Sequence, residues 1–533
     1  MWHAGGVAEA LDSVAEPVAV PNRTPGAPVT WVFRTGLGLL GAQCALLVGY
    51  SVVIFHRMTL GVDFGIFSQA WTRIGTGHLD PRSSISDLPY LASHFELMMW
   101  PLALLHPLVH SSIVLLFVQD AALSATSFVV LVWVRDLLGG STVGDAWAAA
   151  VLGGTALLLV VNPVLYATAT EDFHFEPLAT CFVVLAAYDL WSGRTARMWV
   201  WTVLCLLCGD VGGLYVVGLG LTGVVAARGD RPRAAALLAA GVAWVALIAA
   251  LGDNIGSNVS VGYTYLAGRS SLPAGASGLL LVVGGMVAHP SRPWDMLTSR
   301  FGTILGYLRT GGVFGAFTPW GFGVPLVALG TAALQHDPVF IDIGFQNIVV
   351  SPFVTFGTAW LVAWLVARAG RPAPSRRPGR RAAVWAAAVV GAVALVSGGV
   401  HAAQDLPTVF GSDPVTGLVP ADQAAALRAA LAATPADAEV IAPVPTIGRF
   451  GQREYLYLLV DQAPGSALPL PVRARTVVVV VDTRRAAQLL PRDQADRLVA
   501  QLVGRGARVV VRRAGVTALV WHPPRGVTAL PLP

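Results

Sequence analysis

Between Arg34 and Val400 the sequence is a succession of apolar runs, each about as long as a bilayer is thick and each ended by a polar turn. A helix needs about 20 apolar residues to cross the hydrocarbon, and fewer where it is buried in a bundle. Lipid offers backbone amides no partner, so such runs are driven into helices. They fall near Arg34–Phe55, Ser112–Val134, Ala146–Leu165, His174–Trp191, Ala234–Leu251, Phe301–Phe317, Pro319–Leu334, Val350–Val366 and Ala382–Val400. Two shorter halves between Met198 and Ala227 meet at Gly209-Asp210, and the total comes to about eleven crossings. Only 12% of the residues are charged, and the mean hydropathy is +0.65. A soluble protein carries about 25% charged residues, so the expected fold is an α-helical integral membrane protein of about eleven transmembrane helices.

The formal net charge of +5 gives no reason to expect a nucleic-acid partner. The basic residues sit instead in short turns, at Arg135, at Arg194 and Arg197, at Arg228–Arg233 and at Arg368–Arg381. Basic turns beside apolar helices stay on the cytoplasmic side. An odd number of crossings with a cytoplasmic N-terminus satisfies all four turns and sends the C-terminal segment outside. Residues 1–30 lack the basic start and compact apolar core of a signal peptide, and read as a disordered cytoplasmic tail. The cysteines Cys44, Cys181, Cys205 and Cys208 lie inside apolar runs, where packing is the expected role.

After about His401 the pattern changes. Ala421–Ala433 and Pro491–Val503 read as helices, and Glu439–Ile441, Glu454–Val460, Thr476–Asp482, Ala507–Arg513 and Val516–Trp521 as strands. Val477–Val481 is apolar on both faces, as in a strand covered on each side. Residues 401–533 are therefore expected to form a soluble extracytoplasmic α/β domain behind a membrane domain at 31–400. No glycine-rich phosphate loop occurs there. Asp482-Thr483-Arg484 reads as a capping turn that could alternatively contact a substrate.

Four polar turns return to one side of this topology. Asp63 stands just past the first crossing and opens a loop over residues 56–93, with Phe64, Phe67 and Trp71 at helical spacing, as in a helix lying on a membrane surface. His94-Phe95-Glu96 follows, then Glu171-Asp172-Phe173-His174-Phe175-Glu176, then Gly209-Asp210. Acids beside spanning helices are costly to desolvate and mark substrate or ion paths, although Glu171 and Asp172 would equally serve as helix caps.

In this order, with Gln69, Tyr263-x-Tyr265-Leu266 and Gln346 before Pro352, these turns resemble a bacterial family of predicted membrane proteins of unassigned function, grouped with the GT-C superfamily of glycosyltransferases. The likeness runs from about residue 50 to about residue 520. It implies a GT-C-like enzyme of the bacterial plasma membrane that uses a polyprenyl-phosphate-linked sugar donor and a glycan, lipid or protein acceptor. It implies Asp63 as the catalytic acid of the first outer loop, joined by Asp172. Gln69, His94, Glu171, His174, Glu176, Asp210, Tyr263, Tyr265 and Gln346 are the implied substrate contacts. Arg73 and Arg269, with His94, are the outer-side groups nominated for the donor phosphate, and the acids could hold a divalent cation (Mg or Mn). The chain departs from the family's expected Lys-Glu-Asp at Cys208-Gly209-Asp210. Two other readings remain: a transporter or flippase, for which Asp120, Asp189 and the broken helices speak, and a non-catalytic assembly protein binding partners through its C-terminal domain.

Overall fold

The structure is a computed structural model. It describes residues 26–227, 230–251, 262–273, 276–337, 339–342, 344–370, 379–410, 417–459, 470–484 and 491–530. Of the tail expected over residues 1–30, residues 1–25 lie outside the described residues, and the chain is helical from Ala27.

Six helical stretches are long and apolar enough to cross a membrane. They are α1 (Ala27–His56), α3 (Ile113–Gly139), the pair α4 (Asp145–Val160) and α5 (Pro163–Thr170), α9 (Arg231–Leu251), α13 (Val350–Gly370, with the preceding turn) and α14 (Gly379–Val409). The remaining expected crossings fall on α6 (Glu176–Trp191), α7 (Thr195–Leu206), α8 (Asp210–Ala226), α11 (Phe301–Arg309) and α12 (Gly323–Ala333), all shorter. Gly278–Ala288, too short to cross unaided, lies in α10 (Ala276–Ala288). Burial separates centre from rim: 78% of the α13 apolar window is buried inside the protein, against 17% of that of α14. Around α13 the core is aromatic, with Phe356 stacked on Trp133 of α3 at 3.6 Å and Trp320 edge-on to the same ring at 5.6 Å. Trp320 sits in the bend between α11 and α12, so that bend reaches six residues from the far end of α3.

Helices α8 and α9 pack backbone to backbone. A Cβ on Gly220 would fall 2.5 Å from the Leu238 nitrogen, and one on Gly241 would fall 2.7 Å from that of Val217. Small residues permit such approach where no water drives helices together. Asp189, buried at the end of α6, is paired with Arg194 (2.5 Å) and Arg197 (3.3 Å) and accepts from Trp201 Nε1 (2.9 Å). Those partners absorb its charge, and Asp189 needs no transport role to explain it.

The C-terminal part holds a five-stranded sheet in the order Leu456–Leu459 (β2), Glu439–Pro443 (β1), Val477–Asp482 (β3), Val516–Trp521 (β5), Arg508–Arg513 (β4). The pairs β2/β1 and β1/β3 are parallel and the others antiparallel. Val478 and Val480 face the core shared with α15 (Ala421–Ala432), while Val477, Val479 and Val481 face α16 (Arg492–Gly504), so every β3 position is buried. Asp482 accepts from Gln423 Nε2 (2.6 Å) and from the Arg484 amide (3.0 Å), as a capping turn does. The helix α14 carries on to Val409, nine residues past the boundary expected at 400.

This sheet is docked on the end of the helical bundle. Met58, in the left-handed region at φ 62°, inserts its fully buried side chain into the α15 side of the sheet core. The Gly448 amide donates to Leu60 O (3.0 Å), Arg428 to His56 O (2.7 Å) and the Val419 amide to Thr59 Oγ1 (3.0 Å).

Candidate functional site

The helix α2 (Val62–Gly75) carries Asp63 in its first turn. Its apolar face is spent on burial. Phe64 and Trp71 are fully buried, and Phe67 meets Phe173 (5.5 Å) and Phe175 (5.4 Å) edge to face. The 3₁₀ turn Ile447–Phe450 of the C-terminal part lies against the same helix. Gly448 approaches so closely that an added Cβ would sit 2.8 Å from the carbonyl oxygens of Leu60 and Gly61. The residue before the helix, Gly61, has no side chain to cap the free amides. Asp172 does so from the other turn: Oδ1 accepts from Gly61 N (2.8 Å) and Oδ2 from Phe64 N (3.2 Å). Two of the acid turns are thus joined through the N-terminus of α2, and Asp172 holds in place the helix that presents Asp63.

The Asp63 carboxylate keeps 49% of its surface open, with the buried His174 Nε2 3.9 Å from Oδ2. Its other sides are walled by protein, and that lost hydration raises its pKa from the ordinary carboxylate value. Burial, then the Asp63 charge, pushes Asp172 up to about 6 against the downward pull of the amides it caps. Glu171, open to a cavity but enclosed beyond it, is pushed up to about 7 by desolvation and by the charges of Asp172 and Asp63. Glu176 lies within electrostatic reach of Asp210, Asp63 and Glu171, and so links its own turn to those of Asp63 and Asp210. Glu96 accepts from Tyr90 OH (3.3 Å) and packs on Gly209; burial, then Asp210, raises it well above the usual range. Among the described residues no arginine forms an ion pair with any of these six acids. Gly209, at φ 96°, breaks α7 from α8 in a conformation that suits glycine and would strain the expected glutamate.

Two cavities flank these acids. A polar one of about 500 Å³ is lined by Glu171, Tyr307, Arg309, Asp342, His401 and Asp405, among others. An apolar one of about 380 Å³ has Asp210, Tyr263 and Thr331 on a wall otherwise of Leu, Val, Ile and Met side chains, with two small residues.

Several expectations need correction. Gln69 is buried and spent: Nε2 donates to Ser84 Oγ (2.9 Å), Arg453 O (2.9 Å) and Glu454 O (3.0 Å), and Oε1 accepts from Ser84 N (3.1 Å). It ties the two parts of the protein together and has nothing left for a substrate. His94, between the Tyr90 and Phe67 rings, is pushed down to about 4 by burial and is neutral at pH 7, no counter-ion for phosphate. His174, stacked 3.5 Å over Phe345 and pushed down to about 3, is also neutral. Arg73 pairs with Glu454 (3.5 Å) and lies ten residues after Asp63, about 15 Å along the helix axis. Arg269 is exposed. The Tyr263 hydroxyl donates to Thr331 O (3.0 Å) and that of Tyr265 to Leu334 O (2.9 Å), while Gln346 contributes its carbonyl to Tyr215 OH (3.1 Å). Among the described residues no group of three or more His, Cys, Asp or Glu is arranged to hold a metal ion. Glu96 belongs to an expected acid turn although not to the implied substrate contacts, and Arg309, His401 and Asp405 carried no expectation. An arginine inside the expected crossing Phe301–Phe317 was the available signal for Arg309.

No curated protein matches the chain. Among solved structures, it is similar to ArnT from Cupriavidus metallidurans bound to undecaprenyl phosphate, with 16% identity over 90% of this chain and 97% of that one and a TM-score of 0.45. The apo form of the same ArnT gives 15% identity over 89% and 97%, with a TM-score of 0.41. The family described as "Predicted membrane protein (DUF2079)" matches residues 56–485, which take in all four acid turns and most of the C-terminal sheet. With that match over most of its length, the chain belongs to this family of predicted membrane proteins.

Proposed function

We propose that the protein is a membrane glycosyltransferase that moves a sugar from a polyprenyl-phosphate-linked donor to an acceptor hydroxyl, at the outer face of the plasma membrane. The observation that carries this reading is the setting of Asp63. It is a half-open carboxylate on a helix clamped from two sides, with Glu171, Asp172 and Glu176 of one other turn within electrostatic reach and, among the described residues, no arginine paired with it. A general base needs that combination of access, rigidity and raised basicity. Asp63 takes the acceptor proton as the acceptor oxygen bonds to the anomeric carbon. The bond from that carbon to phosphate oxygen breaks, and polyprenyl phosphate leaves with the electron pair. Arg309, the only arginine among the described residues that line the polar cavity, is the group on hand for the leaving phosphate.

A transporter is the second reading. It is favoured by Asp120, which is fully buried in α3 with both oxygens lacking a hydrogen bond of ordinary length. The two readings separate on purified protein in lipid given a set of polyprenyl-phosphate sugars. Glycosyl transfer predicts release of lipid phosphate by the wild type and none by a folded Asp63→Asn variant. Undiminished release from that variant removes Asp63 from the chemistry. Solute movement across vesicles without donor consumption turns the assignment to transport.

A further inference from the structure

The polar cavity is built from elements far apart in sequence: Glu171 after α5, Tyr307 and Arg309 at the end of α11, Asp342 before α13, and His401 and Asp405 on α14. Its chemistry is mixed. His401 Nδ1 is 3.2 Å from Asp405 Oδ2, and that pair uses part of one carboxylate. Glu171 and Asp342 form no ion pair among the described residues, and neither does Arg309. About 500 Å³ is room for one sugar ring with a phosphate, or for two rings, and too little for a folded polymer. The cavity shares a two-residue turn with the catalytic helix, since Glu171 faces it while the next residue, Asp172, caps α2.

We propose that this cavity receives the glycosyl-phosphate head of the donor, with Arg309 on the phosphate, and that its carboxylates admit neutral or amino sugars while rejecting uronic acids. The inference rests on the glycosyl-transfer reading for its ligand class and adds a charge filter to it. Carboxylates suit this task because each accepts two hydrogen bonds from neighbouring sugar hydroxyls, and more strongly from an ammonium. A sugar carboxylate would instead meet the carboxylates of Asp342 and Asp405 on the same cavity wall, with Glu171 adding the fraction of its charge that it keeps at about 7, and like charges repel.

Binding, without transfer, tests it on the full-length protein in nanodiscs. The probes are glucose 1-phosphate, glucosamine 1-phosphate, glucuronic acid 1-phosphate and methyl glucoside. The expected result is binding of the first two, at least tenfold weaker binding of the glucuronic acid ester, and weaker binding of the methyl glucoside. Arg309→Gln should erase the advantage of the phosphate esters over methyl glucoside. Asp342→Asn with Asp405→Asn should narrow the gap between glucose and glucuronic acid esters, at an unchanged melting midpoint. Equal binding of the glucuronic acid ester, no binding of any probe, or indifference to both sets of substitutions would overturn the proposal. An Asp63→Asn protein that binds these probes normally but transfers nothing keeps the two proposals apart. One that both binds and transfers sinks the catalytic assignment alone.

Discussion

Replacing Asp172 by Asn tests the division of labour between Asp63 and the acid that caps its helix. Asp172 spends one oxygen on Gly61 N at 2.8 Å and the other on Phe64 N at 3.2 Å. Asparagine keeps one acceptor and turns an NH₂ toward the other amide. The amide that faces this NH₂ is left without an acceptor, at about 1–3 kcal/mol. Opposing it, the native Asp172 carboxyl is held at about 6 rather than 3.8, chiefly by burial. An acid raised in the fold is stabilising while protonated, and the advantage fades as pH rises from about 4 to about 6. Above that window its ionisation costs about 3 kcal/mol, which asparagine escapes. The two terms nearly cancel, so the melting midpoint at pH 7 should hardly move.

Activity should not be spared. With the first turn of α2 loosened, loss of the bond energy from the transition state slows transfer roughly ten- to hundredfold. The pH profile adds a second readout. Asp63 must be ionised to act, so activity is lost as pH falls through its raised pKa. Asp172 is raised partly by the charge of an already ionised Asp63, so it is itself protonated where Asp63 titrates, and the acid limb should stay in place in the variant while the plateau falls. The assay is lipid-phosphate release against pH, with thermal unfolding alongside. A variant as dead as Asp63→Asn would make Asp172 a group that acts on substrate. An unchanged plateau rate would remove its positioning role.

Gln69→Leu leaves Ser84 N and two carbonyls buried without their partner, each at about 1–3 kcal/mol; thermal unfolding should show a loss of several kcal/mol while the donor KM of the surviving folded fraction stays the same. Gly448→Val forces a side chain to within 2.8 Å of two backbone carbonyls, so the sheet should lift from the bundle; faster proteolysis between residues 409 and 440 and a large fall in kcat are the expected signs.

The membrane class, the turns that carry acids and the strands of the C-terminal sheet were all legible in the order of residues. Hydrophobic run length and runs of β-branched residues are local properties, and lipid or a sheet covered on both faces enforces them wherever they occur. The family was legible too, because its signature lies in short contiguous turns. The roles of individual polar residues were not. Gln69 looked like a ligand and is a strut, His94 looked like a cation and is neutral, and Asp172 looked like a twin of Asp63 and is its anchor. Each of these outcomes depends on which groups from distant segments lie within about 3 Å and on how much water they exclude. Only the tertiary structure decides that. The same holds for Arg309, His401 and Asp405, which become one cavity wall only once α11 and α14 are brought together.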